Sequence, residues 1–198
     1  MGTDMYGELL LPYGGYRRLK SFQLARLIYD ITVHFVELYI PVDSRTRDQM
    51  VQAARSGVQN IAEGSVDVAT FAKLELNLYN VARASLEELR LDYEDYLRQH
   101  NESIWSKDSP LYSEFVARWI ADKAGFCAFI HWAETFPFSV PIRTNPYKSV
   151  LVANATLLLI DTAVYFLKRQ IVSKAKSFLD NGGFSERMDR MRRNKRNG

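Results

Sequence analysis

The stretch from Gln49 to Leu89 constrains this chain more than any other. It opens as Gln49-Met50-Val51-Gln52-Ala53-Ala54-Arg55-Ser56-Gly57-Val58-Gln59-Asn60-Ile61-Ala62-Glu63-Gly64. After a short connection it becomes a helical run holding Tyr79-Asn80-Val81-Ala82-Arg83-Ala84-Ser85-Leu86-Glu87-Glu88-Leu89. Met50, Ala53, Ala54, Gly57, Val58 and Ile61 fall on one helical face, because residues three and four apart stack on the same side. Most of them are small, so a second helix can approach closely. The expectation is a close-packed helical hairpin that turns at Asn60, Glu63 and Gly64, suited to assembly and binding rather than to catalysis.

The same periodicity predicts a first helix over residues 21–40, with Leu24, Ile28, Ile31, Phe35 and Leu38 facing a core and Pro41 ending it. Asp43 and Ser44 can cap a second helix over 45–63, since short polar side chains accept hydrogen bonds from first-turn amides. Gly64 is expected to stop that helix by taking left-handed backbone. A third helix over 67–99 carries Phe71, Leu74, Leu78, Val81, Ala82, Leu86, Leu89, Tyr93 and Tyr96 along one side. Ser109-Pro110 starts a fourth, reaching residue 136 and including Phe115, Trp119, Ile120, Phe126, Phe129, Ile130 and Trp132. Pro137, Pro141 and Pro146 bound an extended loop, and a fifth helix runs over 146–179 to an Asn181-Gly182-Gly183 stop. No strand-like alternation of useful length appears.

The fifth helix is apolar from Val150 to Leu167, nearly enough to span a bilayer, yet Asn154, Thr156, Asp161 and Thr162 interrupt it. A charge near the bilayer centre costs about 2.5–3.5 kcal/mol on insertion scales. The reading is a buried core helix and no membrane partner. With 198 residues, 47% of them hydrophobic, the chain can bury a full core. A single cysteine, Cys127, and no basic-then-apolar leader point to the cytoplasm.

The formal net charge of +3 hides a gradient. Residues 168–198 hold ten Lys/Arg against three Asp/Glu, whereas residues 1–167 hold sixteen against twenty. Arg187, Arg190, Arg192, Arg193, Lys195 and Arg196 form a cluster able to neutralise phosphates, or simply a solvated chain end. Arg17, Arg18 and Lys20 lie beside Tyr6, Tyr13 and Tyr16, whose rings could stack on bases for about 1–3 kcal/mol each.

Catalytic chemistry finds little purchase. His34, His100 and His131 sit on different elements without partners at ligand spacing, so no metal or other cofactor is expected. Cys127, among Phe126, Phe129 and Ile130, reads as an inert core thiol. Glu87, Glu88, Asp92, Glu94 and Asp95 read as a solvated acidic face that Arg83, Arg90 and Arg98 can neutralise. Asn60 and Glu63 read as corner residues that satisfy backbone amides and orient the next helix. No phosphate-binding glycine loop, nucleophile elbow or catalytic carboxylate pair stands out, and the expectation is that the protein is not an enzyme.

Three ordered motifs carry a resemblance: Tyr16-Arg17-x-Leu19-Lys20-x-Phe22-Gln23-x-Ala25; Gln49, Ala53, Ala54 and Ser56 leading to Asn60-Ile61-Ala62-Glu63-Gly64; and Ala82-Arg83-Ala84-Ser85-Leu86-x-Glu88-Leu89. Over residues 16–100 the chain resembles the small bacterial four-helix-bundle proteins encoded within intervening sequences of 23S ribosomal RNA genes. Its later part resembles a longer subfamily with a suffix here spanning Gly182 to Met188. The resemblance implies a homopentamer, and a related member is the accessory protein of diversity-generating retroelements, which binds a reverse transcriptase and nucleic acid. Where the family often has two basic residues after its glutamine, this chain has Val51 and Gln52, leaving Arg55 with Arg45 and Arg47.

The expected architecture is an all-α antiparallel up-down four-helix bundle with an additional long C-terminal helix and a basic tail. Residues 1–15 form an irregular arm, 16–180 the bundle and 181–198 the tail. The expected function is a homo-oligomeric scaffold binding RNA, DNA or a nucleic-acid enzyme, or alternatively proteins alone. Its candidate contacts are Arg17, Arg18, Lys20, Arg55 and the six tail cations.

Overall fold

A computed structural model of the protein describes residues 15–66, 72–135, 146–181 and 192–193. Outside these lie Tyr6, Tyr13, Phe71, the Pro137 and Pro141 loop, the Gly182-Gly183 stop, and Arg187, Arg190, Lys195 and Arg196. The described residues are all-α. A short 3-10 turn, Gly15–Arg18, leads into α1 (Lys20–Tyr39), α2 (Arg45–Val66), α3 (Ala72–Gln99), α4 (Pro110–Ala117), α5 (Lys123–Thr135) and α6 (Pro146–Asn181).

The long helices touch in a closed order: α1 packs on α2, α2 on α3, α3 on α6, and α6 back on α1. Ser65 meets Tyr79 while Ser56 meets Ser85, so α2 and α3 run in opposite directions. Glu75 pairs with Lys174 and Arg90 with Asp161, which gives α3 and α6 the same relation. The fourth member of this ring is therefore α6, not the helix expected to begin at Pro110. The reason is its composition: Leu151, Ala153, Ala155, Leu159, Ile160, Ala163 and Leu167 are all buried and need cover on several sides. Asn154 and Thr156 fit the same core because each is bonded. Asn154 Oδ1 accepts from the Trp105 amide at 2.8 Å, and the Thr156 hydroxyl donates to the Val152 carbonyl at 2.7 Å.

Several expectations change. The fourth helix is broken in two, because Trp119 takes a left-handed φ of 49° just past the α4 cap. Asp122 then restarts the chain as α5, its Oδ1 accepting from the Gly125 amide at 2.8 Å. Trp119 is exposed rather than part of an apolar face, and Leu38, Leu74 and Val81 also point to solvent. Gly64 does not stop α2, which continues to Val66. Its role is close approach: a Cβ there would come within 2.9 Å of Tyr79 Cε1. Gly57 is packed similarly: a Cβ there would lie 3.0 Å from Leu86 Cδ2. Met50, Ala53, Ala54 and Ile61 are buried as expected, and Ser44 Oγ accepts from the Thr46 amide at the start of α2.

Candidate nucleic-acid interface

The motif Tyr16 to Gln23 builds a compact entry to α1. The Leu19 amide donates to the Tyr16 carbonyl at 2.9 Å, and Gln23 Nε2 donates to the Arg17 carbonyl at 3.0 Å. The Tyr16 ring packs edge-on against Phe22 with centroids 4.8 Å apart, which turns its neighbours outward. Arg17, Arg18 and Lys20 are consequently all exposed, with the Arg17 guanidinium 5.7 Å from the Tyr16 ring centre.

This placement opposes the helix field. Aligned peptide dipoles leave partial positive charge at a helix N-terminus, where a nearby cation costs about 0.3–1 kcal/mol. The first turn of α1 has no acidic residue, and no side chain caps it at Leu19. Three cations at the positive end of one helix dipole therefore face solvent together, an arrangement that an anion would relieve.

Helix direction adds to this. Ser21 Oγ donates to Gln170 Oε1 at 2.7 Å, so α1 begins beside the last third of α6. From Lys168 onward α6 holds Lys168, Arg169, Lys174 and Lys176, with Asp180 as its single acid. Arg192 and Arg193, both exposed, follow the same helix end in the chain. Sequence alone reveals these α6 cations but does not place them with Arg17, Arg18 and Lys20. The signal is α6 itself, whose antiparallel return brings its C-terminal half back to the start of α1.

Arg55 is exposed but stands apart. It lies at the level of Ser85, ten residues before Ser65 on α2 and about 15 Å along the axis at 1.5 Å per residue. Asn60 and Glu63 do not form the expected corner. Asn60 Nδ2 donates to the Ser56 carbonyl at 2.9 Å and lies 3.1 Å from Ser56 Oγ, which in turn meets Ser85 Oγ at 3.0 Å, while Glu63 is exposed. These bonds join α2 to α3 at mid-height instead of orienting the start of α3.

A polar cluster fixes the basic end. Glu75, only 3% exposed, accepts from Lys174 Nζ at 2.8 Å and from the Tyr79 hydroxyl at 3.0 Å, and that hydroxyl also meets Ser65 Oγ at 2.9 Å. Burial, with the Glu75 charge beside it, raises the Tyr79 phenol well above its usual range. Gln170 Nε2 is buried without a hydrogen-bond partner among the described residues, although Gln170 lies close enough to Tyr79 to influence its phenol.

The opposite end of α3 is acidic. Arg90 bridges Glu94 at 3.0 Å, Glu87 at 3.6 Å and Asp161 at 3.7 Å, and Arg98 pairs with Asp95 at 2.8 Å. Arg83 forms no ion pair among the described residues. Burial, with Glu88 and Asp95 nearby, raises the Asp92 carboxyl to about 6. The molecule is thus polarised along its long axis, basic where α1 begins and acidic where α3 ends.

Between α1, α5 and α6 lies an apolar cleft of about 200 Å³ lined by residues such as Phe35, Phe126, Ile130 and Val152. Cys127 is exposed at this cleft, contrary to the core thiol expected, because Phe126, Phe129 and Ile130 take the buried face of α5. Among the described residues no group of three His, Cys, Asp or Glu side chains could hold a metal ion. No protein-family model, characterised protein or solved structure matches the chain.

Proposed function

We propose that this protein is a non-enzymatic, homo-oligomeric helical scaffold of the cytoplasm that binds nucleic acid through its basic end. The observation that carries the reading is the exposed trio Arg17, Arg18 and Lys20 on an uncapped helix start. Phosphates there would meet three side-chain cations at the positive end of the α1 dipole, which relieves the electrostatic cost of placing those cations there. The motif resemblance supports the same class of partner and adds a reverse transcriptase as a protein that the scaffold would present to nucleic acid. It also supplies the expectation of a pentamer.

Filter binding with a single-stranded RNA and a duplex DNA at two salt concentrations tests the reading. Affinity that falls steeply with salt supports it, because neutralising phosphates releases counterions. Absence of binding to either probe at low salt favours a scaffold that binds proteins only, a reading to which the exposed apolar side chains of α3 and α6 also lend weight.

A further inference from the structure

The solvent face of α6 has a regular pattern. Tyr165, Arg169, Val172, Lys176 and Leu179 recur at steps of four and three, and all five are exposed. Val172 is 68% and Leu179 81% exposed, large fractions for aliphatic side chains at one helical register. The solvent face of α3 repeats the pattern with opposite charge. Ala84, Glu88, Leu91 and Asp95 follow the same spacing, all exposed, with Leu91 at 62%. On each stripe two like charges stand seven residues apart with one exposed aliphatic residue between them.

We propose that the α6 stripe of one copy of this chain packs along the α3 stripe of a second copy, with Arg169 and Lys176 meeting Glu88 and Asp95 around Val172 and Leu91. The complementarity commits the occupant: each face lacks what the other offers, and both belong to the same chain. The existing partners of these groups do not compete strongly. Arg169 donates to the Tyr165 hydroxyl at 3.4 Å, and the Asp95 pair with Arg98 is solvent-exposed and therefore weak. Because the two stripes differ, the contact is heterologous. Each copy that joins still offers an unused stripe, so copies add until a ring closes or a chain extends. The inference rests on the homo-oligomeric reading above and specifies its interface.

Mass in solution, measured by light scattering, tests it with four forms of the full chain. The first is the wild type; the second carries Arg169→Glu with Lys176→Glu; the third carries Glu88→Lys with Asp95→Lys; the fourth carries all four changes. All substituted positions are exposed, and circular dichroism checks that helix content is retained. The expected result is a wild type heavier than the 22.9 kDa protomer, both charge-reversed pairs falling to protomer mass, and the fourfold variant returning to the wild-type mass. A wild-type oligomer whose mass survives either reversal, or that fails to return in the fourfold variant, overturns the interface and leaves the oligomer standing. A wild type at protomer mass at every concentration overturns both.

Discussion

Gly64 and Tyr79 touch so closely that the smallest side chain would collide: a Cβ on Gly64 would sit 2.9 Å from Tyr79 Cε1. Tyr79 cannot retreat easily, because its hydroxyl is tied to Ser65 and Glu75. Gly64→Val is expected to destabilise the protein by about 1–3 kcal/mol through overpacking, more than the few tenths gained in helix propensity. Gln59→Ala on the exposed side of the same helix should stay within about 0.5 kcal/mol of wild type. Urea unfolding of both variants checks this, and equal midpoints would contradict it.

The Glu75–Lys174 pair gives a second test. Lys174→Met leaves a carboxylate that is 3% exposed without its cation. Removing one member of a fully buried pair costs about 3–5 kcal/mol, and because the Lys174 side chain is 37% exposed the expected loss is about 1–3 kcal/mol. Adding Glu75→Gln should recover much of that loss. A double-mutant cycle measures it, and strictly additive losses would contradict the pairing.

Asp92 sets a pH dependence. Its carboxyl is raised in the folded state to about 6 by burial and by Glu88 and Asp95. Between the unfolded value near 4 and about 6, the folded chain therefore binds more protons than the unfolded chain, so this group's contribution to stability falls as pH rises through that window. Above it the full penalty is present, and at lower pH it is gone. Asp92→Asn should stabilise the protein at pH 7 by about 1 kcal/mol, the shift being discounted for a half-exposed group, and should flatten the profile between pH 4 and 6. An unchanged slope would contradict the assignment.

Trp119 holds a left-handed backbone at φ 49° while the residue is 83% exposed. A bulky residue in that region is strained, and asparagine tolerates it better. Trp119→Asn should raise stability by up to about 1 kcal/mol. A lower melting temperature would show that the indole makes a contact worth more than the strain.

How legible the fold is in the sequence depends on the kind of signal. Three-and-four spacing locates α1, α2 and α3 within a few residues, because each buries one long stripe, whereas α6 is marked by Pro146 and by an apolar run that is buried on several sides. The break in the fourth helix is hidden, since its left-handed residue is a tryptophan rather than a glycine; Asp122, able to cap a new helix, is the available hint. Gly64 misleads for the complementary reason: a glycine can serve close packing inside a helix as well as termination. Of the candidate site, the exposure of Arg17, Arg18, Lys20 and Arg55 is readable from their positions. That Arg17, Arg18 and Lys20 share an end of the molecule with the α6 cations while Arg55 stands apart is not, because it depends on which helix ends meet, and that is fixed by contacts such as Ser21 with Gln170 between distant parts of the chain.

The most direct test of the basic end is the salt dependence of duplex DNA binding by wild type and by the triple variant Arg17→Ala, Arg18→Ala, Lys20→Ala. Removing one cation from a phosphate should make the plot of log affinity against log salt shallower by about 0.9, so the account predicts a change of up to about 3 for the triple variant. Thermal unfolding should be preserved or slightly improved, because the cations oppose the α1 dipole. Equal affinity and equal slope for the two proteins would contradict the assignment of this end as the nucleic-acid interface.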